Sequence, residues 1–204
     1  DLEPDDTIYI DTGFYQMTNG VHIDRFDAWD AADDLGSLQA GGRSILLQGS
    51  TNEAAGGTQF AFLQSPVGIT LTQALGVVVR NIRIQHLVSG QGLGLRASQS
   101  PYGRAEWVSA TKGTIGFDLD RSGHFQLLHC VARENAERGV SWYESAEASF
   151  VSGVIWSNAV GTFMDASQVT STHKFYVANS ILGAFGTGKV AQLRRRIEGH
   201  RLHQ

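Results

Sequence analysis

Arg96, Asp118, Tyr143 and Asp165 fall at successive intervals of 22, 25 and 22 residues, and Asp120 follows Asp118 by two. A guanidinium, carboxylates and a phenol can hold a polar, hydroxyl-rich ligand, and two carboxylates at a suitable separation can divide general acid and general base work between them. Such chemistry needs a scaffold that brings residues this far apart in the chain onto one face. The elements that position them must therefore repeat with the same period.

A repeat of that kind is present. ENAERGVSW (134–142) is echoed by SNAVGTFMD (157–165), and the pattern recurs upstream in QGLGLRA from Gln91 and GTIGFDLD from Gly113. Alignment on Gly92, Thr114, Gly139 and Gly161 gives the intervals 22, 25 and 22. After each of these positions the residues alternate, so that Leu95, Phe117, Trp142 and Met164 would form one interior stack. On the opposite side Arg96, Asp118, Tyr143 and Asp165 would form one outward column, with Asp120 two residues along the same face. A second strand precedes each motif, with Val77 and Val79, Phe125 and Leu127, and Phe150 and Ser152 as its alternating positions. Helical repeats need 33–47 residues and a 3.6-residue period, so a 22–25-residue period with two-fold alternation predicts a β-solenoid.

The segment GVVVRNIRIQHLVSGQGLGLRAS (Gly76–Ser98) resembles a coil of the right-handed parallel β-helix of the pectate-lyase-like superfamily. The resemblance implies an all-β fold, a right-handed parallel β-helix solenoid of about 7 coils with a short C-terminal helix or tail. The β-helix domain would occupy residues 1–188 with a side insertion at 25–42. Residues 189–204 would be a basic C-terminal tail, or a capping helix on Val190, Leu193 and Ile197.

The resemblance also implies that an outward file of charged and aromatic residues grips an extended sugar chain. The family's catalytic motifs, however, are missing: there is no Asn-Thr-Asp, Asp-Asp and Gly-His-Gly set, no Arg-x-Pro-x-x-Arg and no Asp-Pro-His. The first reading is accordingly a non-catalytic module of a secreted or cell-surface bacterial protein, binding a polysaccharide or glycan or serving as a rigid spacer. The alternative is a polysaccharide hydrolase or lyase using Asp118 and Asp165. Two coils apart, at about 4.8 Å per strand, those residues would be about 9.5 Å apart at the backbone. Inverting glycosidases hold their carboxyls roughly 6.5–9.5 Å apart. The plainer alternative is a solvated face with a surface Arg96–Asp118 ion pair.

The remaining features narrow the choice of partners. A chain of 204 residues with 16 Lys and Arg against 20 Asp and Glu has a net charge of −4, and no basic stripe marks a nucleic-acid footprint. No run of about 18 apolar residues is present, so no membrane span is expected. The opening Asp1-Leu2-Glu3-Pro4 reads as a mature form or as a piece of something longer. Cys130 is the only cysteine and reads as a small core residue. The seven histidines are scattered without metal-ligand spacing, so no metal site is expected of them. Asp24, Asp27, Asp30, Asp33 and Asp34 could gather a calcium ion, but their order is not that of an EF-hand loop, and a solvated acidic loop is favoured with no cofactor. Trp156 is expected outside, beside Arg133, in position for cation–π stacking. The solenoid would be a monomer, or associate end to end through an uncovered last coil.

Overall fold

The structure is a computed structural model, and it describes residues 5–24, 45–145, 147–165 and 176–194. The chain winds through short strands punctuated by tight corners. A first circuit is β1 (Thr7–Tyr9), β2 (Gly13–Met17) and β3 (Val21–Asp24). Then come β4 (Leu46–Gln48), β5 (Thr58–Phe62) and β6 (Val67–Thr72), followed by β7 (Val78–Arg80), β8 (Ile82–His86) and β9 (Leu93–Ser98). The next two circuits are β10 (Arg104–Glu106), β11 (Ser109–Thr111), β12 (Ile115–Asp120) and β13 (Gln126–Leu128), β14 (Val131–Arg133), β15 (Arg138–Tyr143). The last strands are β16 (Ser149–Val151), β17 (Val154–Asp165), β18 (Tyr176–Ala178) and β19 (Ile181–Arg194).

Corresponding strands of successive circuits pair in parallel, giving one sheet in the order β1-β4-β7-β10-β13-β16-β18 and a second that contains the other strands. This is an all-β parallel solenoid, as the alternation predicts. Four circuits, β4 to β15, are continuous and have three separate strands each. The expected count of about seven coils is met only by adding irregular circuits: residues 25–44 follow the first and lie outside the described residues, and in the last two the second and third strands fuse into β17 and β19. The side insertion falls in that outer segment. Helical spacing at Val190 and Leu193 does not produce a helix, because the chain continues as β19 to Arg194, paired with β17. Residues 195–204 lie outside the described residues.

The interior is a set of stacked columns. Ile69, Leu95, Phe117 and Val140 are in register, as are Leu71, Ala97, Leu119 and Trp142, and all eight are buried. The predicted stack of Leu95, Phe117, Trp142 and Met164 is thus divided: Phe117 pairs with Val140, while Trp142 pairs with Leu119 and Met164. The reason is a column of glycines. Gly68, Gly94, Gly116, Gly139 and Gly161 occupy one stacked position, each just before the inward residue of its strand. A Cβ on Gly68 would lie 2.7 Å from Gly94 O, one on Gly116 would lie 2.6 Å from Gly139 O, and one on Gly139 would lie 2.7 Å from Gly161 O. No side chain fits there, so glycine recurs once per circuit. The fourth circuit therefore aligns with the fifth through Gly116, not Thr114.

Buried polar residues close the corners. Asn135 Oδ1 accepts from Gly113 N at 3.0 Å and Asn158 Oδ1 accepts from Asn135 N at 2.9 Å, while the two amides donate to Ala110 O and Ala132 O. At another corner the hydroxyls of Ser100, Ser122 and Ser145 accept from Ala74 N, Ser100 N and Ser122 N, each at 3.0 Å. Burial without partners would cost a kilocalorie or more per group, on the order of 1–3 kcal/mol, so these ladders satisfy the backbone that the turns leave open. Cys130 has the same role: it is fully buried and donates to Ala105 O at 3.3 Å, and burial pushes its thiol up to about 12. It is a core residue, as expected.

Candidate functional site

The outward face of β9, β12 and β15 carries Arg96, Asp118, Asp120 and Tyr143, and Asp165 closes β17 on the next circuit. Because the step from Gly116 to Gly139 is two residues shorter than the one assumed from Thr114, those residues divide into two adjacent columns. Arg96 is in register with Asp118, and Asp118 is followed by Ser141 and Phe163. Asp120 is in register with Ser98 below and with Tyr143 above, and Tyr143 with Asp165. Tyr143 does not lie between Asp118 and Asp165.

The correction alters the chemistry available. Asp165 lies two circuits above Asp118 and two residues along the strand, which at about 4.8 Å per strand and 3.3 Å per residue separates the backbone sites by roughly 12 Å. That exceeds the roughly 6.5–9.5 Å of an inverting pair. Asp118 and Asp120, by contrast, are two residues apart on one strand and face the same way, roughly 6.6 Å apart at the backbone.

Both carboxylates are held by their neighbours. Arg96 Nε lies 3.6 Å from Asp118 Oδ2, and Arg96 also reaches Asp120 Oδ2 at 3.9 Å. Asp120 accepts from Ser98 Oγ at 2.9 Å and pairs with Arg121 Nε at 3.1 Å. Burial pushes the Asp118 carboxyl above its ordinary value, and the attraction of Arg96 does not recover the loss. Burial acts on Asp120 in the same sense, but the hydrogen bonds from Arg121 and Ser98 outweigh it and hold that carboxyl below the usual range. Two carboxyls on one strand are thereby driven in opposite directions. The guanidinium of Arg138, on the same strand as Ser141, lies 3.8 Å from the centre of the ring of Phe163 on the circuit above.

A pH dependence follows from Asp118. Since its folded-state value is raised, its contribution to stability is complete below the ordinary value of 3.8 and is lost as pH rises through the folded value. Asp118→Asn removes that loss. The stability of the variant relative to the parent should therefore increase with pH across this window and level off above it, as read from urea midpoints in a pH series. A difference that shrinks with rising pH would show that Asp118 is stabilised as a carboxylate.

Trp156 is exposed, as expected, and is in register with Arg133. Its partner differs from the one foreseen. Arg133 Nε lies 3.3 Å from Glu134 Oε1, and the indole of Trp156 covers Gly183 on the next circuit. The acidic insertion contributes only Asp24 to the described residues, at the exposed end of β3; the other four aspartates lie outside them. Among the described residues no group of three His, Cys, Asp or Glu side chains could hold a metal ion. Among them, too, no helix is long and apolar enough to cross a membrane.

Spacing did not reveal a second feature on the opposite side of the solenoid. The corner between the two sheets is turned by one residue per circuit in the left-handed region: Asn81 (φ 56°), Trp107 (φ 56°), His129 (φ 54°), Ser152 (φ 55°) and Asn179 (φ 50°). These side chains project outward above one another. Trp107 and His129 stack with ring centres 4.2 Å apart and planes inclined by 10°. Beside them a cleft of about 620 Å³ opens between this corner and the loop that follows β4. Trp107 falls outside the strand alternation, and His129 reads in the sequence as one scattered histidine among seven. The signal available was the 22-residue interval between them, equal to one coil.

No protein-family model matches the chain, and no curated protein matches it in sequence.

Proposed function

We propose that this chain is a non-catalytic β-solenoid module of the pectate-lyase-like kind, belonging to a secreted or cell-surface bacterial protein, and that its β9–β12–β15 face binds an extended glycan. The observation that carries this reading is the pair of adjacent outward columns. Arg96 and Asp118 in one, and Asp120 and Tyr143 in the other, offer donors, acceptors and a phenol ring on a stiff sheet at strand spacings of about 4.8 Å. A ligand that repeats along its length meets a surface that also repeats. Arg96 and Tyr143 are half-buried and reachable, whereas Asp118 and Asp120 are largely covered, so the carboxylates serve chiefly to fix the guanidinium groups.

The test is a glycan array followed by incubation of each retained glycan with the protein. Tyr143→Ala should weaken affinity for the retained glycan about tenfold or more with an unchanged melting temperature. Equal affinity would return the face to a solvated surface and the molecule to a rigid spacer. One observation favours a second reading. Asp118, held up by burial, and Asp120, held down by hydrogen bonds, have the divergent acidities of an acid and base pair, which supports a polysaccharide hydrolase with these two carboxyls in place of Asp118 and Asp165. Cleavage products in the same incubation, lost in Asp118→Asn, would establish that enzyme.

A further inference from the structure

We propose that the cleft between the loop after β4 and the Trp107–His129 ring stack is a second binding site, for a neutral hexopyranose unit of a glycan. The site is on a different face from the β9–β12–β15 columns and goes beyond the reading given for them.

The platform comes first. Trp107 is 58% exposed, one face of its indole is covered by His129 of the following circuit, and the corner residue of the preceding circuit is Asn81. Before Asn81 the same position is Gly49, where a Cβ would collide with Asn81 O. The aromatic stack therefore ends at Trp107 above two small residues, leaving a ledge. The coil geometry fixes it: the backbone N–H groups of Asn81 and Trp107 donate to Glu106 O and Leu128 O, each at 3.0 Å.

The floor supplies polar groups already in place. Arg80 Nε donates to Glu106 Oε2 at 2.6 Å, and Arg104 donates to the other carboxylate oxygen at 3.0 Å. Arg83, exposed at the cleft, faces the solvent side of β8. The far wall is the loop carrying Ser50, Thr51 and Glu53. It is closed on itself by Gly57 N to Asn52 O at 2.9 Å and Ala55 N to Asn52 Oδ1 at 3.2 Å, and tied to the body by Thr12 Oγ1 to Ser50 Oγ at 2.6 Å. A wall ordered before binding avoids the entropic cost of ordering it later.

The chemistry of the lining selects the ligand class. A pyranose has a C–H-rich face that suits an indole and a rim of hydroxyls that both donate and accept. The cleft offers donors from Arg80 and Arg83 and acceptors from Glu53 and Glu106, so its formal charges cancel. An anionic ligand would gain little from a balanced lining in which Arg80 is already paired. At about 620 Å³ the cleft lies within the roughly 300–1,000 Å³ of small-ligand sites.

The experiment titrates the parent protein, Trp107→Asn, Arg83→Gln and Tyr143→Ala with neutral gluco-, galacto- and manno-configured tetrasaccharides, alongside a sulfated tetrasaccharide. Asparagine is chosen because the same corner position already carries it at Asn81 and Asn179, so the left-handed backbone is retained. The expected result is a loss of at least tenfold in Trp107→Asn for one neutral series, a smaller loss in Arg83→Gln, and melting temperatures within a few degrees of the parent. Should Trp107→Asn fail to fold, Arg83→Gln decides. Equal affinity in the decisive variant, loss confined to Tyr143→Ala, failure of the parent to bind any neutral tetrasaccharide, or a preference for the sulfated one that vanishes in high salt would each overturn the proposal.

Discussion

Trp142→Ala should destabilise the protein by about 3–5 kcal/mol, the cost of emptying a large aromatic site in a core that cannot fully collapse. Trp142 is among the largest fully buried side chains, and it sits in a column in which Leu71, Ala97 and Leu119 precede it and Met164 follows. Strands of a solenoid are held above and below by backbone pairing, so the neighbouring circuits cannot close over the vacated volume independently. The column also alternates in size, with the small Ala97 below Leu119. Truncation at Trp142 therefore leaves a void in a column whose preceding members, Leu71, Ala97 and Leu119, are themselves fully buried and already packed. For a domain of about this length the loss corresponds to a fall in melting temperature of roughly 10 °C. Urea denaturation of the parent and variant is the measurement. A loss below about 1 kcal/mol would mean that Trp142 is not packed as its position requires.

Which residues face inward was legible from alternation alone, and that is why Trp142 was placed in the core although its neighbours were misassigned. The alignment from Thr114 to Gly139 was two residues too long. A two-residue slip preserves the parity of a strand, so every inward residue stays inward while every column acquires the wrong partners. Burial is a property of parity, whereas a binding constellation is a property of register. Arg96 and Asp118 were neighbours under either alignment; Tyr143 and Asp165 moved to the column of Asp120. The information that fixes register was present in the run of Val67-Gly68, Leu93-Gly94, Ile115-Gly116, Arg138-Gly139 and Val160-Gly161. It was obscured by the nearby Gly92 and by Gly113, which serve turns. The cleft was not legible for a different reason. Its wall, floor and platform come from separate circuits, and its main aromatic occupies a single-residue corner that no period-two pattern can register.

The glycine column leads to the second large effect, a loss on the order of 3 kcal/mol in Gly116→Ala. Adding one methyl to a well-packed interior usually costs roughly 1–3 kcal/mol, and the upper end applies where nothing nearby can move. A Cβ on Gly116 would meet Gly139 O at 2.6 Å, Asn135 Nδ2 at 2.9 Å and Ala132 Cβ at 3.1 Å. Gly139 O is backbone of the next circuit. Asn135 is held by its donations to Ala110 O at 3.2 Å and to Asn158 Oδ1 at 3.0 Å, so its displacement would also break a buried ladder. Relief requires the two circuits to separate, against the parallel pairing of β12 with β15. Gly56→Ala is the control. There a Cβ meets nothing within 4 Å, and only the left-handed backbone at φ 94° opposes the change, a cost of roughly 1–2 kcal/mol. Gly116→Ala must therefore be the more damaging of the two in equilibrium denaturation. If instead it unfolds within about 1 kcal/mol of the parent, the circuits are not stacked through glycine at this position, and the register of Asp118 and Tyr143 falls with it.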